Sequence, residues 1–223
     1  MPAWTSANTT DRRSARVITE SGRSWSWWRL AKRLVFVACL VPLLALVWRA
    51  AVGDLGTNPL ETVTRATGDW TLRLLLASLS VTPIRQLTGW NAIIGLRRTL
   101  GLFAFAYGVL HLLTYLWFDQ FFSWPDILRD IAKRPFITVG MAALLLLVPL
   151  AATSTAGMIR RLGGRAWRRL HRAVHLAAGL GVLHYWWLVK ADTTNPRRYA
   201  LVFGALMLWR IVRSTRRRLK VHP

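Results

Sequence analysis

The chain has 223 residues, 53% of them hydrophobic, with thirteen tryptophans and a formal net charge of +22. A soluble domain usually holds about 45–50% apolar residues even with glycine counted, so the composition argues for a membrane protein. The charge alone would suggest nucleic acid, but the basic residues lie between apolar runs rather than on one soluble face, and no nucleic-acid partner is expected.

In chain order, residues 1–33 are rich in Arg, Ser and Thr, with Asp11 and Glu20 the only acids. They read as a basic, disordered cytoplasmic arm rather than a secretory signal, because no small-residue cleavage site clearly follows the apolar run. A membrane span needs about 20 mostly apolar residues, and six runs mark such spans. The first, 34–48, contains the single cysteine, Cys39, which reads as a small buried hydrophobe and excludes an intramolecular disulfide or a zinc cluster. The second, 70–84, is the weakest, since it carries Arg73 and ends at Pro83. The others are 99–118, 136–152 (without charge), 170–189 and 199–212, followed by a basic tail over 213–223. Pro59, Pro125, Pro135 and Pro196 fall in the loops, where a missing N–H costs no helical hydrogen bond. The expected fold is therefore all-α: a six-transmembrane-helix bundle over 34–212.

The charges orient it. The arm, the 85–98 loop, the 160–172 connection and the segment from Arg210 onward share 22 of the 31 basic residues, whereas the alternate loops hold seven of the nine acids. The positive-inside rule then places both termini in the cytoplasm of a multi-pass bacterial inner-membrane protein, which requires an even number of spans. The positive ends also contact anionic lipid. No phosphate loop, dinucleotide fingerprint, nucleophile elbow or HExxH motif is present, and no catalytic residue is assigned.

Five histidines remain: His111, His171, His175, His184 and His222, the last in the tail. The other four lie on the third and fifth spans only. An ionisable residue inside a membrane is costly and marks a functional site, although a neutral histidine bonded to a neighbouring helix is the plain alternative. His111 lies 13 residues beyond Arg98 and His184 lies 15 beyond Arg169; at about 1.5 Å per residue both sit about 20 Å from those anchors. They are expected to face each other at one depth, as two axial ligands of a haem iron. His171, about 20 Å nearer the cytoplasm, is the candidate ligand of a second haem, but the third span offers Arg97 to Gly101 there and no histidine. On an ideal helix His184 is also about 140° away from His171. His175 is a ligand, a hydrogen-bond partner or a packing residue. Zinc would want further close ligands, and the spans are short of carboxylates. Gly101, Ala104, Ala106 and Gly108 suit either a flat buried porphyrin or helix packing. Arg97, Arg98, Arg168 and Arg169 suit haem propionates or a flavin phosphate, or serve only as topology charges.

The run GDWTLRLLLASLSVTPIRQLTGW (68–90), then LRRTLGLFAFAYGVLHLLTYLWFD (96–119) and WRRLHRAVHLAAGLGVLHYWWLVKAD (167–192) resemble the MsrQ family, within the wider ferric reductase-like transmembrane group. The resemblance covers about 35–212. It implies b-type haem on His111, His171 and His184, and a flavin mononucleotide. It implies electrons arriving from the quinone pool or a cytoplasmic flavin reductase and leaving to MsrP, a periplasmic molybdopterin subunit that repairs methionine sulfoxide. His175 departs from the family pattern, where an aromatic residue is commoner. The chain reads as the electron-transfer subunit of an oxidoreductase complex; a small transporter or channel, or a non-catalytic assembly factor, are the competing classes.

Overall fold

The computed structural model describes the backbone of residues 9–189 and 192–219, and the side chains of 27–189, 192–216 and 219. His222 and most of the basic arm's side chains lie outside the described residues. Those described contain no strand. Helix α1 (Thr9–Ala51) begins inside the segment whose composition reads as a disordered arm; after Pro2 that segment holds only Gly22 as a helix breaker. Residues 1–41 form one compact unit and 42–223 a second.

The second unit carries the site. Helix α2 (Pro59–Thr88) starts where the Asn58 side chain accepts the Glu61 N–H and Pro59 supplies a preset φ. It ends where Gly89 takes φ 72°, a left-handed cap that costs glycine no Cβ clash. Helix α3 (Leu96–Thr114) runs back beside it and closes in a π-turn over Tyr115–Asp119. Phe121 and Phe122 then adopt φ of 46° and 56°, a strained conformation for aromatic residues. Helices α5 (Pro135–Ala152) and α7 (Ala173–Leu188) form a second closely packed pair. Helix α8 (Thr194–Leu219) lies against α2 and α7. Ahead of α8, hydrogen bonds from the Thr194 hydroxyl and backbone N–H hold the Asp192 carboxyl below its usual range.

Two short helices lie where only connections were expected: α4 (Trp124–Lys133) and α6 (Ala156–Leu170). Helix α4 sets apolar residues on one face and charges on the other, and α6, which kinks at Gly163 (φ 74°), interleaves the two kinds, so neither has the apolar run by which a span is recognised. Three helical stretches, 27–51, 91–119 and 135–152, are long and apolar enough to cross a membrane by length and composition alone. Leu145, Val148, Leu201 and Leu208 turn outward, as suits lipid rather than water. The expected span 170–189 is not one helix. It breaks at His171 and Arg172, and α7 begins at Ala173. The ideal-helix angle between His171 and His184 therefore does not apply.

Candidate functional site: two facing histidines

The α2/α3 and α5/α7 pairs face each other across a cavity of about 330 Å³. His111 enters it from α3 and His184 from α7, with ring centres 6.2 Å apart and planes at 76°. Apolar walls come from Leu72 and Leu75 on α2, Leu144 and Leu147 on α5, and Ala177 on α7. The charged lining residues, Arg65, Asp69, Asp119 and Arg134, sit at the end of the bundle that carries the acids.

Each imidazole is held the same way. His111 Nδ1 lies 2.9 Å from the carbonyl oxygen of Thr64, and His184 Nδ1 2.6 Å from that of Phe136. A carbonyl only accepts, so Nδ1 carries the proton on both rings. That tautomer leaves a lone pair on each Nε2, on the opposite side of the ring. The supporting carbonyls fix ring orientation as outer partners of a metal ligand do. Four residues beyond each carbonyl comes a glycine. A Cβ on Gly68 would lie 3.0 Å from His111 Cε1, and one on Gly140 2.7 Å from His184 Nδ1. The two halves thus repeat one device, with separations of 47 and 48 residues between carbonyl and histidine.

None of these supports was read from the sequence. A backbone carbonyl leaves no mark on residue identity. The only legible trace is a glycine at the depth of each histidine: Gly68, two residues before the second span, and Gly140 on the fourth. Of the small residues proposed to admit a flat group, Gly108 lines the cavity, whereas Gly101 faces Ser78, whose Oγ would lie 3.7 Å from a Cβ placed there.

His171 is not brought to this cavity. It closes α6, stacks on Trp167 at 4.0 Å between ring centres, and has Nε2 3.1 Å from Thr153 Oγ1. The Thr153 hydroxyl donates to Pro149 O at 2.6 Å, so it accepts from His171 Nε2–H. His175 Nδ1 sits 2.8 Å from Arg172 O, which protonates Nδ1 and leaves Nε2 with its lone pair. Arg97 is partly buried and its charge reaches both His171 and His175; Arg98, Arg168 and Arg169 are exposed. Among the described residues no three His, Cys, Asp or Glu side chains gather at one point.

Residues 66–182 match the ferric reductase like transmembrane component. The "Protein-methionine-sulfoxide reductase heme-binding subunit MsrQ" of Rhodospirillum rubrum is 57% identical over 190 residues, 85% of this chain and 91% of its own length. The relatives of the same name in Caulobacter vibrioides and Herminiimonas arsenicoxydans are 50% and 49% identical, covering 85% and 86% of this chain and 90% and 88% of theirs. The chain belongs to the MsrQ family. The matched region of this MsrQ-family chain contains His111, His171 and His175, together with Gly68 and Gly140, and ends just before His184.

Proposed function

We propose that the chain binds b-type haem between His111 and His184 and carries electrons across the bacterial inner membrane, as the electron-transfer subunit of a methionine sulfoxide reductase system. The observation that carries this reading is the facing pair of imidazoles with both Nδ1 atoms tied to carbonyls. A metal–imidazole bond is about 2 Å and the ring centre lies about 1 Å behind the nitrogen, so two rings on opposite sides of one ion have centres about 6 Å apart. The 6.2 Å between His111 and His184 suits that arrangement. The apolar walls and the absence of side chain beyond Cα at Gly68, Gly108, Gly140 and Gly181 suit a flat group.

Bound haem supplies a one-electron iron cycle. This chain's residues set its environment. Thr64 and Phe136 hold the imidazoles in one tautomer, and the leucines exclude water. Arg134 anchors the mouth. Its Nε pairs with Asp130 at 2.8 Å, and Asp130 also accepts from Tyr115 Oη at 3.1 Å. The remaining guanidinium donors of Arg134, with those of Arg65, suit acidic substituents on the cofactor's rim.

The reading includes the rest of the family's scheme: six spans with both termini cytoplasmic, and electrons from the quinone pool or a cytoplasmic flavin reductase passing to periplasmic MsrP for repair of oxidised methionine. It takes His171 as ligand of a second haem, with its bond to Thr153 exchanged for the metal, and a flavin mononucleotide as a further cofactor. The acid-bearing end, with Asp119, Asp126 and Asp130, faces the periplasm and attracts a basic patch on the acceptor. The deciding experiment is absorption and EPR spectroscopy of wild type and of the His111→Ala and His184→Ala proteins. Wild type should give a reducible low-spin b-type spectrum, and either variant should lose six-coordination or the haem. Unchanged spectra in both variants would remove the reading.

A further inference from the structure

The opposite, arginine-rich end of the bundle has an electrostatic imbalance that the histidine site does not explain. Among the described residues, the buried side-chain atoms without a hydrogen-bond partner are Thr82 Oγ1, Arg210 Nε and Arg213 Nε. All three lie at this end, on α2 and α8.

Arg210 is fixed in place. Its Nη2 donates to Leu79 O at 3.1 Å. That carbonyl would normally accept the N–H four residues on, but residue 83 is proline and has none. The guanidinium therefore closes a gap in the α2 ladder, and Thr82 follows Leu79 by less than one turn. Arg213 stands one turn beyond Arg210 on α8. From α3, Arg97 is close enough for its charge to act on Arg210, and Arg85 acts on Arg97 in turn. Ser78 Oγ, one turn before Thr82, donates to Arg97 O at 3.3 Å, which ties the start of α3 to this face of α2.

Like charges gathered where their side chains are partly buried favour a counter-charge. Among the described side chains no carboxylate is placed there. The five ion pairs among the described residues all lie at the other end, from Arg49–Asp54 to Arg134–Asp130. The seven acids outside the arm lie there too, and Asp11 and Glu20 belong to the arm, outside the described side chains.

We propose that a phosphate group binds at this end between α2, α3 and α8, taking hydrogen bonds from Arg210 Nε, Arg213 Nε and the Thr82 hydroxyl and charge neutralisation from Arg97. Donors arriving from several elements suit a tetrahedral oxyanion with many acceptor sites, and guanidinium is the side chain that best matches it. The phosphate belongs either to the head group of an anionic lipid or to a soluble ligand approaching from the aqueous side. The site stands apart from the facing histidines, and nothing in its geometry depends on haem.

The test uses full-length protein purified in non-ionic detergent and stripped of lipid. Thermal melting is followed with added inorganic phosphate, with phosphatidylglycerol, and with phosphatidylcholine as a control. Native mass spectrometry records what is retained. Wild type should be stabilised, and Arg213→Gln and Thr82→Val should each weaken the stabilising ligand about tenfold while far-UV circular dichroism stays unchanged. Stabilisation by inorganic phosphate alone assigns a soluble ligand; stabilisation by phosphatidylglycerol alone assigns a lipid. Thr82→Val guards against a folding defect, since it removes an unpaired hydroxyl and without a ligand should raise the melting temperature. No stabilisation of wild type by either phosphate source, or equal stabilisation of wild type and both variants, would overturn the proposal.

Discussion

At the scale of single residues, the glycines opposite the imidazoles are as specific as the histidines. A methyl on Gly140 would fall 2.7 Å from His184 Nδ1, closer than side-chain carbons approach, whereas one on Gly68 would fall 3.0 Å from His111 Cε1. Overpacking of this kind costs about 1–3 kcal/mol, and here it would also turn the ring from its carbonyl. Gly140→Ala should lower the haem-to-protein ratio of purified protein several-fold, and Gly68→Ala should lower it less. Equal, full occupancy in both would show that the rings have room to move. His175 gives a separate contrast. Its Nδ1 is tied within its own turn by Arg172 O, so a packing role predicts that His175→Ala leaves spectra and electron transfer nearly intact. A ligand role predicts a loss resembling that of His171→Ala. Redox titration of both variants separates the two outcomes, since the tie leaves Nε2 with its lone pair in either case.

At the scale of elements, α2 shows how a sequence defect is repaired by a neighbour. Pro83 inside a helix removes one hydrogen bond and normally costs about 3 kcal/mol. In this bundle Arg210 of α8 donates to the carbonyl that Pro83 leaves open. Arg210→Leu should destabilise the bundle by about 1–3 kcal/mol, the cost of an unpaired buried carbonyl. Pro83→Ala in the same background should recover most of that loss, because the alanine N–H takes the place of the guanidinium. A double-mutant cycle by chemical denaturation measures the coupling; additive effects would mean that Arg210 acts elsewhere. The helical run at 70–84 was legible from its apolar residues, but its repair was not, since Leu79 and Arg210 are 131 residues apart. Helices α4 and α6 escaped for a different reason: a window seeking continuous apolar length passes over a helix whose apolar residues occupy one face, as in α4, or are interleaved with charges, as in α6.

At the scale of the whole molecule, charge is divided between the two ends. Six spans with both termini inside predict that a reporter fused after Val221 reads cytoplasmic and one within 119–134 reads periplasmic. A periplasmic carboxyl terminus would invert the assignment of both ends, and with it the side from which an electron acceptor approaches. The paired construction of the site belongs to the same scale. The α2/α3 and α5/α7 pairs each supply a histidine, a carbonyl and a glycine, although the two stretches show no repeat that can be read by eye.

The sequence by itself determined the helical class, the position of three apolar spans, the segregation of charge and the common depth of His111 and His184. Those follow from local quantities: run length, residue type and a constant rise per residue along a helix. Tertiary structure alone decided the distance and angle at which the two rings meet, which nitrogen carries the proton, that His171 lies in a turn beside Thr153, and that Arg210 serves α2. Each of these depends on the rotation of one helix against another and on backbone groups distant in the chain. Side-chain packing sets those rotations, and the identities of the residues along any one span do not encode them.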